Sequence, residues 1–533
     1  MNRAVQVPSF PVYPRLTAIV ALLVTIIAGA TATHAAPVLV VTPKTLSFGT
    51  QSWNTTSATK TVTLKNNSKT AITITAIAPS SGFQVTPSGA CVGPLAAHSK
   101  CTFDVAFLPA SAEAYVGTVS ITDDAAHSPQ EVKLAGTGTS VAGMPAGHVL
   151  VAGGVSNAST ILGTVEIYDP IARAFSSAGS MSDSRAFETA TYLDPAVVEG
   201  GGLAGTVLIS GGEDNNEAIV PTSDIYTPDV GLSAGNSMQV ARAAQTATLI
   251  TVGPLQGQVL IVGGTDDTFT SVQSAELFDP STGEFTLTGS LNMPRSAHTA
   301  TMIDSCSCPL DGDVLVAGGY DNTSTPLASA ELFDASTQTF SCVGGGSAPC
   351  PAVMTNARAE HAAAELTNGE VLITGGYEKV PNAAGSAPGT ATADIYDPAT
   401  GAMDTGLKMR HARQGHTATL IAGCNCPLDG AVLIASGADT TLKATPTAEL
   451  YIPGTGFVAT GSMKTGRVTA AATLFPSGQV AGQVVIIGGV KATGPASGPV
   501  LKSAEIYDPI TGKFSAAGTM SSARNEQGQA LIP

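Results

Sequence analysis

GHVLVAGG (147–154), GTVLISGG (205–212), GQVLIVGG (257–264), GDVLVAGG (312–319), GEVLITGG (369–376), GAVLIASG (430–437) and GQVVIIGG (482–489) are near-copies of one phrase. Their starts step by 58, 52, 55, 57, 61 and 52 residues. A short apolar run closed by glycines and repeated at a nearly fixed period marks a radial β-array. Each unit is too small to bury its apolar faces alone, so neighbours must stack around an axis.

Each repeat carries further landmarks. An acid stands inside the strand after each phrase, at Glu166, Asp224, Glu276, Glu331, Asp394, Glu449 and Glu505. A turn of the DPxTG kind follows, clearest at Asp279–Phe285 and Asp508–Phe514. Its proline sets φ and its glycine supplies a positive φ. An apolar residue then precedes an arginine by four, at Met181/Arg185, Met238/Arg242, Leu291/Arg295, Met354/Arg358, Met409/Arg413, Met463/Arg467 and Met520/Arg524. The arginine opens a further strand, as in RSAHTATMI and RQGHTATLI. We name these strands A (arginine-led), B (GG), C and D.

Four strands per period make one propeller blade. The landmarks resemble the kelch repeat, in its galactose-oxidase-like bacterial form, over residues 141–533. The resemblance implies an all-β fold, a seven-bladed kelch β-propeller. Blade one lacks an arginine-led strand before residue 147, and no GG strand follows Arg524–Ile532. The C-terminal strand is therefore expected to close the ring beside Val149–Ala152, which removes two exposed edges.

Residues 36–140 have another texture. Runs such as TVTLKN, AITITAI, CTFDVAF and GTVSITD alternate apolar and polar residues between turn clusters, which reads as a β-sandwich. Pro43, Leu46, Phe48, Gly49, Asn66, the Cys91/Cys101 pair, Phe107, Pro109 and the closing LAGTGT (134–139) carry a resemblance to immunoglobulin-like choice-of-anchor D modules, related to Hydin-type domains. That resemblance implies a spacer or display role. Residues 1–35 combine Arg3 and Arg15 with an apolar run, Thr17 to Ala30, and the small-residue stretch TATHAA, the pattern of a secretory signal peptide. Export without membrane insertion after cleavage is the expectation.

Losing that segment removes two basic residues and no acids, taking the formal charge from −16 to about −18. Such a chain repels phosphate backbones, so nucleic acid is not an expected partner. All eight cysteines lie beyond residue 35, and an even number in an exported chain points to disulfides. Cys91/Cys101 and Cys342/Cys350 are spaced to close a hairpin or loop; Cys306/Cys308 and Cys424/Cys426 form two C-x-C pairs in SCSCPLDG and GCNCPLDG. Two sulfurs without a nearby histidine are half a tetrahedral metal site at best, so local disulfides are preferred over metal.

An antiparallel meander brings the B–C and D–A loops to one end of the disc, together with each arginine and the acid of strand C. Asp214, Asp266, Asp321, Glu378 and Asp439, two residues beyond GG in blades two to six, are expected at the same end. One reading is a structural ion-pair network; the other is an acidic arc able to attract Ca²⁺ or a basic partner. Recurrence in every blade favours the structural reading for the arginines and the acids of strand C. His298, His361 and His416 sit three residues after an arginine in adjacent blades. They invite a metal hypothesis, but that offset turns them away from the arginine and between blades, as hydrogen-bonding residues.

The galactose-oxidase resemblance implies copper chemistry only where a Tyr-His dipeptide and a cysteine-linked tyrosine are present. No Tyr-His occurs, and the cysteines fall in loop and C-x-C pairs. No G-x-S-x-G elbow, H-E-x-x-H helix or phosphate loop stands in a suitable context. The reading is an exported, non-enzymatic binding module without a cofactor, whose B–C and D–A loops, the long ones near Tyr377–Ala391 and Val490–Lys502 above all, recognise a protein or glycan. The alternative is a carbohydrate-active enzyme, a divergent copper oxidase or a glycosidase.

Overall fold

The apolar phrases become the B strands, and nearly every residue in them is buried on both faces. The computed structural model describes residues 39–52, 57–86, 91–109, 114–139, 147–157, 159–198, 202–228, 230–378, 388–494 and 498–533. The signal-peptide reading and residues 379–387 and 495–497 of the two long loops lie outside the described residues.

Strand B pairs antiparallel with A on its inner side and with C on its outer side. In blade two, Thr189–Tyr192, Val207–Ser210, Ser223–Thr227 and Gly231–Ala234 follow one another in a four-stranded sheet. The same order recurs at Thr246–Leu249 to Glu284–Leu287, Thr299–Met302 to Thr339–Cys342 and Ala471–Leu474 to Lys513–Thr519. Two periods are joined in a single seven-stranded sheet by the nineteen-residue strand Ala402–Leu420, which serves as D of one period and A of the next. We read that sheet as two blades sharing one continuous strand. On that reading, the A strands neighbour one another in a closed circuit of seven.

The seam closes as expected. Gly528–Ile532 lies antiparallel to His148–Ala152, pairing Val149 with Leu531 and Val151 with Gln529. Apolar clusters then run between successive blades. One joins Val149, Val151 and Tyr168 of blade one to Val485, Ile487 and Ile506 of blade seven. Another joins Leu150, Val165 and Ile167 to Val207, Ile209 and Tyr226 of blade two. The core is thus a ring of inter-blade layers, the arrangement in which no repeat is stable alone.

The N-terminal strands form two sheets. Leu39–Thr42, Lys60–Asn66, Lys100–Phe107 and Phe83–Thr86 make one. Thr45–Ser52, Gln130–Thr139, Ala114–Asp123, Ile72–Pro79 and Gly93–Leu95 make the other, with the first two parallel. Val62, Leu64, Phe103, Val105, Val119, Ile121 and Val132 fill the space between them. Asn66 is a polar landmark with a structural reason: fully buried, its amide donates to the carbonyls of Thr70, Leu95 and Ala96 and accepts from Ser68.

A chain lacking residues 528–533 leaves the Val149–Ala152 edge unpaired and opens the layers on either side of blade one. We expect a markedly lower thermal midpoint and self-association in size-exclusion chromatography. A monomer with an unchanged midpoint would show that the seam is not needed.

Candidate functional site

Seven arginines organise the end of the disc where the B–C and D–A loops meet. Each is fully buried, with none of its surface exposed. Arg242 shows the pattern. Its Nη1 donates to the carbonyls of Gly263 and Ser274, and its Nη2 to the Ser274 hydroxyl and to Glu276 at 2.9 Å. Glu276 also accepts the backbone N–H groups of Gln239 and Val240, so its charge is shared between the arginine and the D–A link. The same pairing joins Arg185–Asp224, Arg295–Glu331, Arg358–Asp394, Arg413–Glu449, Arg467–Glu505 and Arg524–Glu166, at 2.6–3.2 Å.

The GG pair clasps the arginine of the following blade through the backbone. The second glycine donates its N–H to that arginine's carbonyl in every case, for instance Gly212 to Arg242 at 2.9 Å. The first glycine is needed for space: a Cβ at Gly263 would lie 2.3 Å from the Arg295 carbonyl oxygen, and φ there is +58°. Blade six departs from this with Ser436, held at φ +65°. Each arginine is therefore bound by its side chain within its own blade and by its carbonyl to the blade before.

The acids two residues beyond GG do something else. Asp266 Oδ1 accepts the N–H and hydroxyl of Thr268 and the N–H of Thr270. The Thr268 hydroxyl contributes most to holding its pKa below the ordinary carboxylate value. Asp321 and Asp439 cap their loops in the same way, and Asp214 accepts from Asn216 and Ala218. Glu378 accepts from Asn356 at 2.6 Å. The second acid expected within reach of five of the arginines is thus not paired with them: no ion pair joins these five acids to the arginines among the described residues. The loops curl so that each carboxylate meets donors close to it, four of them in their own turn. Among the described residues, no group of three or more His, Cys, Asp or Glu is disposed to hold a metal ion.

His298, His361 and His416 point between blades, each Nε2 within 3.0 Å of a threonine hydroxyl of the preceding blade. Burial, and then the nearest arginine, depress His298 and His416 to a pKa of about 3. Gln245 and Gln527 occupy the equivalent position and donate to the carbonyls of Ser210 and Ile487. The cysteines pair as Cys91–Cys101, Cys306–Cys308, Cys342–Cys350 and Cys424–Cys426. Four disulfides fit an oxidising compartment. No helix among the described residues is long and apolar enough to cross a membrane.

At the axis, the residue two beyond each arginine adopts a left-handed conformation: Phe187, Ala244, Ala297, Glu360, Gly415, Thr469 and Glu526, with φ between 49° and 59°. Their backbones bond head to tail. Phe187 donates to Glu526, Ala244 to Phe187, Ala297 to Ala244, Glu360 to Ala297, Gly415 to Glu360, Thr469 to Gly415 and Glu526 to Thr469, at 2.9–3.5 Å. This hoop frames the mouth of the central channel. Glu213, Tyr320 and Tyr377, each immediately after GG, join it through bridges to Ala186, Ser296 and Ala359.

The mouth is acidic and aromatic. The Tyr377 hydroxyl hydrogen-bonds Glu360, and the rings of Tyr320 and Tyr377 lie 6.5 Å apart. Burial raises Glu360 to about 7; burial, then Glu360 and Glu213, raises Glu526 to about 7. Phe187 is 37% exposed at the hoop and Phe269 58% exposed on the B–C loop of blade three. Sequence reasoning missed the hoop because its positions hold seven residues of five types.

The B–C loops around the mouth are tied together. Asn157 and Asn215 each bond both backbone groups of one residue in the preceding loop, Val500 and Ile161. Asp267 accepts from Ile219 in the same position.

Comparison with known proteins agrees with this architecture. Residues 140–182, 303–346 and 472–521 match the family model described as Kelch motif. The repeats in those three segments match the kelch motif. Residues 37–131 match the model described as Abnormal spindle-like microcephaly-assoc'd, ASPM-SPD-2-Hydin. The kelch array and this domain together account for the sheets described above. No curated protein matches the chain. Among solved structures, one titled "Structure of YjhT" aligns with 62% of this chain and 97% of its own, at 14% identity and a TM-score of 0.42.

Arg295→Met leaves Glu331 buried without its partner, and we expect a loss of about 3–5 kcal/mol in denaturant unfolding. Adding Glu331→Leu should restore much of that loss; equal costs for the single and double variants would show that the carboxylate is not what is left stranded. Glu188 stands at the histidine position of blade two, accepts from Gly528, and is raised by burial to about 8. The folded chain therefore keeps a proton that the unfolded chain releases above about 4.5, so stability falls as pH climbs from there towards 8. Relative to the parent, Glu188→Gln should gain on the order of 2–4 kcal/mol at pH 8 and nearly nothing at pH 4, because each pKa unit is worth about 1.4 kcal/mol. A gain equal at both pH values would contradict the burial account.

Proposed function

We propose that this chain is an exported, non-enzymatic binding module. The ASPM-SPD-2-Hydin domain acts as a spacer of the choice-of-anchor D kind, and the kelch propeller binds a protein or carbohydrate partner through its B–C and D–A loop face. The carrying observation is the mouth of the channel. There the exposed Phe187 stands with Tyr320, Tyr377 and the carboxyls of Glu213, Glu360 and Glu526 on a hydrogen-bonded frame. Aromatic groups beside a few fixed polar groups are how binding sites gain contact area and orientation together.

Other titratable landmarks of that face are engaged in holding the fold. The arginines and their partner acids are paired with one another, the histidines bridge blades, and four of the five loop acids cap their own turns. The asparagine ties keep the loops in place for recognition, which lowers the ordering cost of association. With a formal charge of −16, the chain is suited to a partner that presents basic or neutral hydrogen-bonding groups.

The full-length protein should bind members of a combined glycan and basic-peptide panel in surface plasmon resonance. Phe187→Ala and Glu360→Gln should each weaken binding about tenfold, with the folded state retained in both. Ile510→Ser, on a C–D turn at the opposite end, should leave binding unchanged. Loss of binding through Ile510 and not through Phe187 would place the partner on the other face. Release of reducing sugar or of peroxide from the glycans would replace this reading with an enzymatic one.

A further inference from the structure

The blades share one frame but not one charge. The B–C loops of blades two to four carry Glu213, Asp214, Glu217, Asp266, Asp267 and Asp321, and no basic residue. Those of blades six and seven carry Lys443, Lys491 and Lys502 against one acid, Asp439, which caps its own turn. Lys491 stands two beyond GG, where blades two to six each have an acid. The D–A links that lean on these two blades add Arg410 and Lys464. Their N–H groups donate to Glu449 of blade six and Glu505 of blade seven, both at 2.7 Å. Over blades three and four, the same place is held by the neutral Gln239 and Asn292. All five cationic side chains of the basic sector are exposed.

In a ring of seven, blade three lies across the axis from the junction of blades six and seven. The acidic lobe of the mouth face is centred on the first and the basic lobe on the second, so the two stand diametrically opposed. Each centre also has an apolar feature. Phe269, 58% exposed, is the tip of the blade-three loop, held at φ +55° with its N–H on the Asp266 carbonyl at 2.8 Å. At the junction, Ala444 donates its N–H to the Ala492 carbonyl at 2.9 Å, and Lys443 is bridged to Thr493. The two loops there form one shelf of small side chains among lysines.

We propose that a second copy of this chain docks on this face, mouth to mouth, about a two-fold axis that lies in the plane of the face and divides the two lobes. The proposal rests on the reading of this face as a binding surface and names its partner. Such an axis carries the acidic lobe of each copy onto the basic lobe of the other, so one patch serves both chains, as an isologous contact requires. Phe269 of each chain seats on the Ala444–Ala492 shelf of the other, an aromatic anchor with Lys443 and Lys491 beside its ring. Glu217 and Asp267 meet the lysines around that shelf. An acidic polymer would match the basic lobe alone and leave Phe269 and the acidic lobe unused. The formal charge of −16 on each chain opposes approach at long range. At about 0.15 M salt, however, charges more than about 8 Å apart are largely screened, and pairs enclosed in a contact much less so.

Sedimentation equilibrium of the full-length chain at about 0.15 M salt should give a reversible monomer–dimer equilibrium. Phe269→Ser should raise its dissociation constant at least about tenfold. Lys443→Glu with Lys491→Glu turns the basic lobe acidic, and Glu217→Lys with Ser324→Lys plants lysines at the loop tips on either side of Phe269. Each double variant alone should lose at least about tenfold in self-association, and an equimolar mixture of the two should regain the dimer, because each altered lobe then faces its opposite. Recovery on mixing also shows that both variants are folded. A parent chain that stays monomeric overturns the proposal, as does a dimer that none of these variants weakens, or a mixture that fails to recover. A monomeric parent that still binds glycans or basic peptides through Phe187 leaves the binding face standing without this partner. A monomer captured by a sulfated glycan through Lys443 and Lys491 assigns the basic lobe to an acidic polymer instead.

Discussion

The buried arginine–carboxylate pair is the constraint on which the rest of this molecule depends. A guanidinium without exposed surface is tolerable only when its donors are occupied and its charge is matched at contact distance. Each arginine meets most of that demand by collecting a carboxylate, two carbonyls and a hydroxyl from its own blade, although in six of the seven the Nε–H is buried without a partner. Its carbonyl is held in turn by the GG pair of the preceding blade. One residue type therefore sets the orientation of three strands and the spacing of adjacent blades. The loops, the mouth and the seam all take their positions from it.

Much of this was legible in the sequence. The GG phrases, the acid of strand C and the arginine recur at spacings that only a shared geometry explains, and their residue types state the chemistry. The closing tail followed from a missing strand at one end and a surplus strand at the other. The Cys91–Cys101 and Cys342–Cys350 pairs followed from their spacing, whereas spacing left the connectivity of the C-x-C cysteines open. The loop acids were misplaced because distance along a chain does not show which way a short loop turns. Asp266 and Asp321 have the right residues two and four positions on to cap themselves, and that nearer contact outcompetes the arginine.

The mouth was illegible for a different reason. Its frame is made of backbone groups and a φ value, and neither leaves a residue signature when positions as unlike as Phe187, Ala297 and Glu526 adopt the same conformation. Left-handed geometry at alanine or glutamate is unfavourable in isolation and persists here because the flanking arginine and the inter-blade residue fix the chain on both sides. A repeat can thus carry a conserved shape without a conserved letter.

The hoop has one electrical consequence. The N–H and C=O dipoles of seven residues set head to tail around a circle cancel in the plane of that circle, whereas dipoles stacked along a helix add into a pole at each end. A helix terminus lends its field to whatever docks there; the in-plane bonds of this rim lend none. The potential felt by anything approaching the axis is left to the side chains that stand on it, so exchanging one glutamate for a neutral residue retunes the opening without touching its frame.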